Sequence, residues 1–171
     1  STLDKLPDGS FRWVTKTAAT FTFDMAGRLT FIEDRDGNQT SYEYDAAGRL
    51  TRITDPVGLV TNFALDGDGR IMTITDSAGR VTRLDYDTAG NLIRITDPDG
   101  SQRSFAYDGE HHMVEETDKL GRTETMTYDF AGRAETATRT DGSVIQFRAL
   151  QSIGLRRPEE TILPLTPAVA G

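Results

Sequence analysis

Two adjacent histidines, His111 and His112, are the only histidines in this chain of 171 residues, which contains no cysteine. Imidazole suits metal binding and acid–base chemistry, so the pair is the first candidate for a chemical site. Neighbouring side chains of an extended segment point to opposite sides, however, and no third ligand lies at a known zinc spacing. We interpret the pair as a loop tip, and the sequence predicts no metal site.

Two aspartate-rich stretches have the composition of calcium loops, namely Asp34-Arg35-Asp36-Gly37-Asn38 and Asp66-Gly67-Asp68-Gly69. An EF-hand loop needs a further Asp or Asn before its glycine and a glutamate near its end. Neither stretch supplies these, and the chemistry of turns accounts for both.

Enzymatic chemistry also lacks a recognisable set of residues. A glycosidase needs two carboxylates that converge across a cleft, but each aspartate here falls in a turn pattern. No Ser-His-Asp, Cys-His or phosphate-loop motif is present, so the sequence predicts neither an enzyme nor a cofactor. The net charge of −8 disfavours nucleic acid as a partner, and no apolar run reaches the roughly 18 residues of a membrane span.

The aspartates belong to a repeat of 21 residues. An aromatic-type position recurs at Phe23, Tyr44, Leu65, Tyr86, Tyr107 and Tyr128, and an aspartate follows at Asp24, Asp45, Asp66, Asp87, Asp108 and Asp129. One glycine series comprises Gly27, Gly48, Gly69, Gly90 and Gly132, with His111 as its one break, and a second comprises Gly37, Gly58, Gly79, Gly100, Gly121 and Gly142. A fixed period of this size indicates a repeat architecture.

Each copy contains two turns of the form Asp-x-x-Gly, such as Asp45 to Gly48 and Asp55 to Gly58. Aspartate at the first position of a type I turn accepts backbone hydrogen bonds, and glycine at the fourth adopts positive φ without strain. Pro56 occupies the second position, where its fixed φ is already correct.

The segment before the first turn alternates apolar residues, as in Tyr42 and Tyr44, which indicates a strand with one covered face. After the turn the apolar residues lie three apart, as in Leu50 and Ile53. Either a β-bulge resets the phase or both faces are partly covered. Each copy is thus predicted to be one β-hairpin, and the chain an all-β array of stacked hairpins that coils into a spiral sheet. We expect stacked tyrosine rings along this sheet, and arginines after the turn glycine that pair with the turn aspartates of their own or neighbouring copies.

The pattern divides the chain into three parts. Residues 1–20 form a divergent lead-in or cap, residues 21–147 contain the six repeats, and residues 148–171 are a non-repeat C-terminal segment. The chain starts without methionine or a signal-peptide pattern, so we expect it to be a segment of a longer polypeptide.

The stretch Tyr44-Asp45-x-x-Gly48-Arg49-Leu50-x-x-Ile53-Thr54-Asp55-x-x-Gly58 resembles the YD repeat of Rhs proteins, which is also found in Tc-toxin C components and in teneurins. The resemblance covers residues 21–147. Its structural positions in this chain are Tyr44, Asp45, Gly48, Arg49, Asp55, Gly58, Tyr86, Asp87, Gly90, Asp97, Gly100, Tyr107, Asp108, Tyr128, Asp129 and Gly132.

The resemblance implies a segment of a hollow β-shell. In bacterial members of the family the shell encloses a toxin segment of the same polypeptide, whereas in teneurins it serves extracellular adhesion. The implied partners are the remaining repeats and an enclosed toxin segment, and the implied location of the parent protein is secreted or at the cell surface. Asp55-Pro56-Val57-Gly58-Leu59 matches a self-cleaving motif of the bacterial shells, but it lies in phase as an ordinary turn, so no catalytic residues are carried over.

The residue types on this sheet are also compatible with a second function. A surface of Tyr, Arg, Thr and Asp is also suited to carbohydrate, because aromatic rings stack on sugar faces and charged groups bind hydroxyls. The second hypothesis is therefore an extracellular adhesion or glycan-binding array.

Overall fold

The computed structural model describes residues 1–147, which form fifteen β-strands and contain no helix that could span a membrane. The strands are β1 (Thr2–Lys5), β2 (Phe11–Val14), β3 (Thr20–Phe23), β4 (Leu29–Glu33), β5 (Gln39–Tyr44), β6 (Leu50–Thr54), β7 (Val60–Leu65), β8 (Ile71–Thr75), β9 (Val81–Tyr86), β10 (Leu92–Thr96), β11 (Gln102–Tyr107), β12 (Met113–Thr117), β13 (Thr123–Tyr128), β14 (Ala134–Thr138) and β15 (Val144–Gln146). The all-β prediction is confirmed. The segment predicted at residues 148–171 lies outside the described residues.

All fifteen strands belong to one sheet, in which each strand pairs antiparallel with its neighbours in sequence. The array is therefore a run of stacked hairpins, as predicted. Residues 1–20, expected as a lead-in or cap, contribute β1 and β2, and the register of Trp13 with Phe21 continues the sheet into β3. The rings of these two residues lie 4.9 Å apart.

A β-bulge explains the three-residue spacing of the apolar side chains. Tyr44 pairs with Leu50, whereas Glu43 pairs with Arg52, so Thr51 is an extra residue on β6. A bulge of this kind shifts the alternation by one, and Leu50 and Ile53 consequently lie on the same face as Tyr44. We call the turn at Asp45 to Gly48 and its equivalents in other repeats first-type turns, and the turn at Asp55 to Gly58 and its equivalents second-type turns. The same register shift occurs in each of the later hairpins that close on a first-type turn.

The strand register also advances from repeat to repeat. Ile32 pairs with Thr40 on the following strand, but its equivalent 21 residues later, Ile53, pairs with Tyr42 on the preceding strand. Thr40 and Tyr42 are two residues apart on β5, so each repeat is displaced by two residues along the strand direction. A constant stagger combined with strand twist makes a sheet coil.

The sheet has two chemically different faces. We call the face that carries Tyr42, Tyr44, Leu50, Ile53 and their equivalents at intervals of 21 residues the aromatic face. The polar face is the opposite one, and it carries side chains such as Ser41, Glu43, Arg52, Thr54 and their equivalents.

None of the residues 1–147 is buried. An amphipathic sheet normally covers its apolar face with a second layer, and the described residues form a single layer. Side chains such as Phe63 and Ile74 on the aromatic face are only half-buried, each shielded by its neighbours in the sheet.

Candidate functional site: a ladder of turn carboxylates, cations and tyrosines

Every turn of the array has the same backbone geometry, as the turn from Asp45 to Arg49 illustrates. The N–H of Gly48 donates to the carbonyl of Asp45 at 2.9 Å, and the N–H of Asp45 donates to the carbonyl of Arg49 at 2.9 Å. Gly48 has φ of 81°, while the two residues before it do not have positive φ. This is a type I turn followed by a left-handed residue, the usual three-residue hairpin loop.

The side chain of Asp45 ties this turn together. One carboxylate oxygen, Oδ1, accepts the backbone N–H groups of Ala47 and Arg49, both at 2.9 Å. The other, Oδ2, accepts the guanidinium Nε of Arg49 at 2.8 Å. Donation from the backbone and then from the side chain of Arg49 holds the pKa of Asp45 below its ordinary value.

The same three contacts recur along the array, although the side chain that binds the second carboxylate oxygen differs between turns. Four residues after the aspartate there is an arginine in the turns that begin at Asp24, Asp45, Asp66, Asp76, Asp118 and Asp129, an asparagine in those that begin at Asp34 and Asp87, and a histidine in the one that begins at Asp108. Because both oxygens of these carboxylates are engaged within their own turns, they are poorly suited to catalysis. The predicted pairing of arginines with turn aspartates is observed, and the partner is the aspartate of the same turn.

The first-turn arginines Arg28, Arg49 and Arg70 also reach the next repeat. The guanidinium of Arg28 lies 5.3 Å above the ring of Tyr44, and the hydroxyl of Tyr44 donates to the carbonyl of Leu29 at 2.8 Å. Burial, together with the charge of Asp24, raises the pKa of the Tyr44 phenol. Arg70 and Tyr86 repeat the arrangement, with the cation 5.1 Å from the ring and the hydroxyl 3.0 Å from the carbonyl of Ile71.

The side chain of the preceding arginine lies close to the glycine of the next first turn. A Cβ placed on Gly69 would lie 3.1 Å from the side chain of Arg49, because that side chain crosses the next turn. In this repeat the tyrosine is replaced by Leu65, and a guanidinium nitrogen of Arg49 donates instead to the carbonyl of Asp66 at 3.2 Å.

The expectation of tyrosine rings stacked on one another is wrong. Equivalent positions of adjacent repeats are two strands apart, roughly 9.5 Å, which exceeds the 4.5–7 Å of ring contacts. No two tyrosines within residues 1–147 form a ring pair; instead, the guanidiniums of Arg28 and Arg70 lie against the rings of Tyr44 and Tyr86. We call the resulting row of turn aspartate, cation and next tyrosine the ladder.

The fifth repeat contains the histidines that opened the sequence analysis. His111 has φ of 66° and occupies the glycine position, while His112 occupies the arginine position. The ring of His112 stacks on Tyr128 at 4.6 Å, and the hydroxyl of Tyr128 donates to the carbonyl of Met113 at 2.8 Å. Sequence reasoning treated the pair as a loop tip and missed the ladder role of His112, which the 21-residue alignment with Arg70 and Arg133 could have indicated.

The remaining predicted positions lie in second-type turns or lack a cation. Asp55 accepts only the N–H groups of Val57 and Leu59, at 3.0 and 2.8 Å, so the stretch that matches the self-cleaving motif forms a turn like the others. Asp97 forms an ion pair with Lys119. Tyr107 follows Asn91 rather than arginine, and burial raises the pKa of its phenol.

A pair of charged residues interrupts the aromatic face, and the sequence analysis did not identify it. Arg103 and Glu116 form an ion pair there, with Arg103 also 5.6 Å from the ring of Phe105. Glu116 stands where earlier repeats have isoleucine, as at Ile74 and Ile95, so alignment of the copies could have found it.

Beside this pair is a hollow of 590 Å³ lined by Glu116, Asp118, Arg122, Glu124, Arg139, Thr140 and Asp141. Its lining carries both signs of charge and contains no apolar or aromatic residue, unlike a typical small-molecule pocket. Within residues 1–147, no group of three or more His, Asp or Glu residues is arranged to hold a metal ion.

Comparison with known proteins adds a family and a fold. A family model described as RHS Repeat matches residues 23–61, 66–102 and 86–123. A structure of the Photorhabdus luminescens Tc holotoxin pore with a TccC3 mutation is similar, with a TM-score of 0.50 and 17% identity over 75% of this chain. A structure of TcdB2-TccC3 without its hypervariable C-terminal region has a TM-score of 0.45 and 16% identity over 80% of this chain.

This chain spans 10% and 11% of those two solved chains. A search of curated proteins found no match.

Proposed function

Since the chain belongs to the RHS repeat family, we propose that it is a segment of a shell wall that encloses a toxin cargo. The family membership and the fold are the premise. The enclosed cargo and the secreted or cell-surface location of the parent protein are part of the proposal.

The observation that carries the proposal is a regular sheet with no buried residue among residues 1–147. A free-standing domain of this length would cover its apolar face with a second layer. Here the aromatic face stays half-covered over every repeat, so its environment must come from outside the layer. A wall that encloses another chain meets this requirement along its whole length.

The stagger of two residues per repeat supports a curved wall. Because the array is built of identical steps, more repeats extend the same spiral without a new type of contact. Strand pairing joins every step to the next, and ladder bonds such as those of Tyr44 and Tyr86 reinforce it, so the wall needs no interior core.

We propose that the aromatic face is the inner surface. Its half-exposed rings and aliphatic groups can contact an unfolded cargo through many weak apolar contacts. The polar face bears ion pairs such as Arg94 with Asp85, 2.8 Å apart, and hydroxyl pairs such as Thr127 with Thr136, 2.7 Å apart, and it suits water.

The role proposed for the chain is that of a scaffold rather than of an enzyme. The turn aspartates with both oxygens engaged within the turn have lowered pKa values, which keeps them ionised and bound at neutral pH. Such groups stabilise turns and are poorly placed to transfer protons.

Limited proteolysis of the natural polypeptide that carries these repeats tests the container. The expected result is a non-repeat segment, identified by mass spectrometry, that is cleaved only after denaturant opens the shell. Digestion of every non-repeat segment under native conditions would refute enclosure, and a glycan-binding screen would then test the adhesion hypothesis.

Two cysteine variants test which face is the inner one, and since this chain has no native cysteine, labelling of its own residues reports on the new thiol alone. Thr61 and Asn62 are neighbours on β7, and Thr61 pairs with Ile53 on the aromatic face while Asn62 pairs with Arg52 on the polar face. In the natural polypeptide, Thr61→Cys should react slowly with a bulky maleimide and Asn62→Cys rapidly. Equal rates, or the reverse order, would contradict an inward aromatic face.

A further inference from the structure

Some turns of the array contain two aspartates, at the first and third of their five residues, so two carboxylates are available to close the turn. In the turn that begins at Asp34, Oδ1 of Asp34 accepts the backbone N–H groups of Asp36 and Asn38 at 2.8 and 2.9 Å. The side-chain amide of Asn38 donates to Oδ2 of Asp34 at 2.8 Å. The first aspartate therefore closes this turn.

The turn that begins at Asp97 is closed by its other aspartate. Oδ1 of Asp99 accepts the N–H of Ser101 at 2.9 Å and the hydroxyl of Ser101 at 2.6 Å. The carboxylate of Asp97 accepts no hydrogen bond from the described residues of its own turn, and it forms an ion pair with Lys119 in the next second-type turn. Asp97 thus binds the following repeat instead of its own backbone.

The fifth residue of the turn accounts for this difference. The side chain of Asn38 reaches back to the first aspartate of its turn, whereas the shorter side chain of Ser101 bonds the aspartate two residues before it. The proline that follows Asp97 is not the cause, because Asp55 also precedes a proline, Pro56, and still closes its own turn.

Two further turns that end in serine follow the same rule. In both, the aspartate at the third position accepts the backbone N–H of the serine, and the pairs are Asp8 with Ser10 and Asp141 with Ser143. The first positions of these turns hold Leu6 and Arg139. An aspartate at the first position is therefore dispensable when the third and fifth residues close the turn together.

Lys119 is the cation that is available to a released Asp97. Arg80, which lines the same hollow, is already bound to Asp76 of its own turn at 2.6 Å. Asp97 is the more shielded member of the ion pair, with 24% of its side chain exposed against 48% for Lys119.

The ion pair joins two repeats between which the ladder has no cation. The first-type turn of the fourth repeat ends in Asn91, which donates to Asp87, so no arginine precedes Tyr107 of the fifth repeat. Asp97 and Lys119 belong to the second-type turns of the same two repeats. Because the two types of turn alternate along an antiparallel sheet, this contact lies at the edge opposite to the missing one.

We propose that Ser101 redirects Asp97 from its own turn to Lys119, and that the resulting ion pair replaces the missing ladder contact between the fourth and fifth repeats. The fifth residue of a turn with two aspartates then determines which repeat the first aspartate stabilises. Asparagine keeps that aspartate within its turn, and serine releases it. This role of Ser101 does not depend on what the array encloses.

A double-mutant cycle in the full chain, read by hydrogen exchange of the amides of β11 and β12, measures the ion pair. Asp97→Ala and Lys119→Met should each lower protection about twofold to fivefold, the range for a partly exposed pair, and the double variant should lower it no further. High salt should reduce these losses. The amides of β5 and β6 provide an internal control and should not change.

Ser101→Asn tests what places the ion pair. This variant has the same first, third, fourth and fifth residues as the turn that begins at Asp34, so Asp97 should close its own turn. In this background Lys119→Met should no longer lower the protection of β11 and β12. Coupling between Asp97 and Lys119 that persists in Ser101→Asn, or additive losses in the wild-type background, would overturn the proposal.

The reciprocal exchange, Asn38→Ser, gives an independent readout. Closure of that turn should pass from Asp34 to Asp36, and the carboxyl ¹³C resonances of both aspartates should shift in the NMR spectrum of the full chain. Resonances that stay at their wild-type positions would show that the fifth residue does not select the aspartate, and would refute the rule on which the proposal rests.

Discussion

Removal of one ladder hydroxyl offers the sharpest test of how the repeats hold together. In Tyr86→Phe the ring stays under Arg70 and only the bond to the carbonyl of Ile71, 3.0 Å long, is lost. A hydrogen bond of this kind contributes about 1 kcal/mol to folding. Tyr86→Leu, which introduces the side chain found at Leu65, also removes the cation–π contact and should cost about 1.5–2 kcal/mol in total.

Tyr107 supplies a matched control within the same chain. Its hydroxyl donates no equivalent bond within residues 1–147, and the residue in the arginine position before it is Asn91. Tyr107→Phe should therefore change the free energy of unfolding by less than about 0.5 kcal/mol, the range of substitutions that remove no specific contact.

The measurement is urea unfolding followed by far-UV circular dichroism, with the slope of the transition checked to be the same in all variants. Because repeat arrays can unfold in steps, hydrogen exchange of β8 and β9 provides a local readout of the same contact. Equal losses for Tyr86→Phe and Tyr107→Phe would refute the reasoning, since the effect would then not come from the ladder bond.

Three further predictions test the turns and the ladder. Gly58→Val should destabilise the chain by about 1–2 kcal/mol, because φ of 85° is unfavourable for a β-branched residue. Gly67→Ala, at a turn position without positive φ, is the control and should be near neutral in the same urea assay. Leu65→Tyr should stabilise by about 0.5–1 kcal/mol, because the new ring would lie beside Arg49 and its hydroxyl near the carbonyl of Leu50, and an unchanged unfolding midpoint would count against the ladder. The turn aspartates have pKa values below the ordinary 3.8, so the stability that they provide is present above that pH and is lost as pH falls through the lowered values. Acid titration followed by circular dichroism should therefore show loss of the sheet below about pH 4. An unchanged spectrum at lower pH would contradict this assignment.

Much of the fold could be predicted because its determinants are local. Asp45 and Gly48 specify a turn through contacts within five residues, and the alternation of Tyr42 and Tyr44 specifies a strand beside it. Repetition of these short-range signals at a constant spacing then determines neighbouring pairing, since each strand has only its sequence neighbours to pair with.

The bulge was predicted only as one of two alternatives. The spacing of Leu50 and Ile53 is compatible with a bulge or with two covered faces, and the choice depends on how the strand pairs with β5. Register is a property of two strands together, so the sequence of one strand does not determine it.

The ladder is the part that the sequence analysis described least well. The pairing of arginine with a turn aspartate was predicted for the same copy or a neighbouring one, but the position of Arg28 over Tyr44 depends on the separation between hairpins. That separation, two strand spacings, rules out ring-on-ring stacking and admits a guanidinium or an imidazole between the rings.

By itself, the sequence determined the repeat, the turn chemistry, the strands and the family, because each depends on residues close together along the chain. Only the tertiary structure decided the stagger of two residues per repeat, the place of Thr51 as the bulged residue, the contact of a turn cation with the tyrosine of the next repeat and the position of His112 in the ladder. These features arise where neighbouring hairpins meet, and their geometry depends on strand spacing and register that no single repeat encodes.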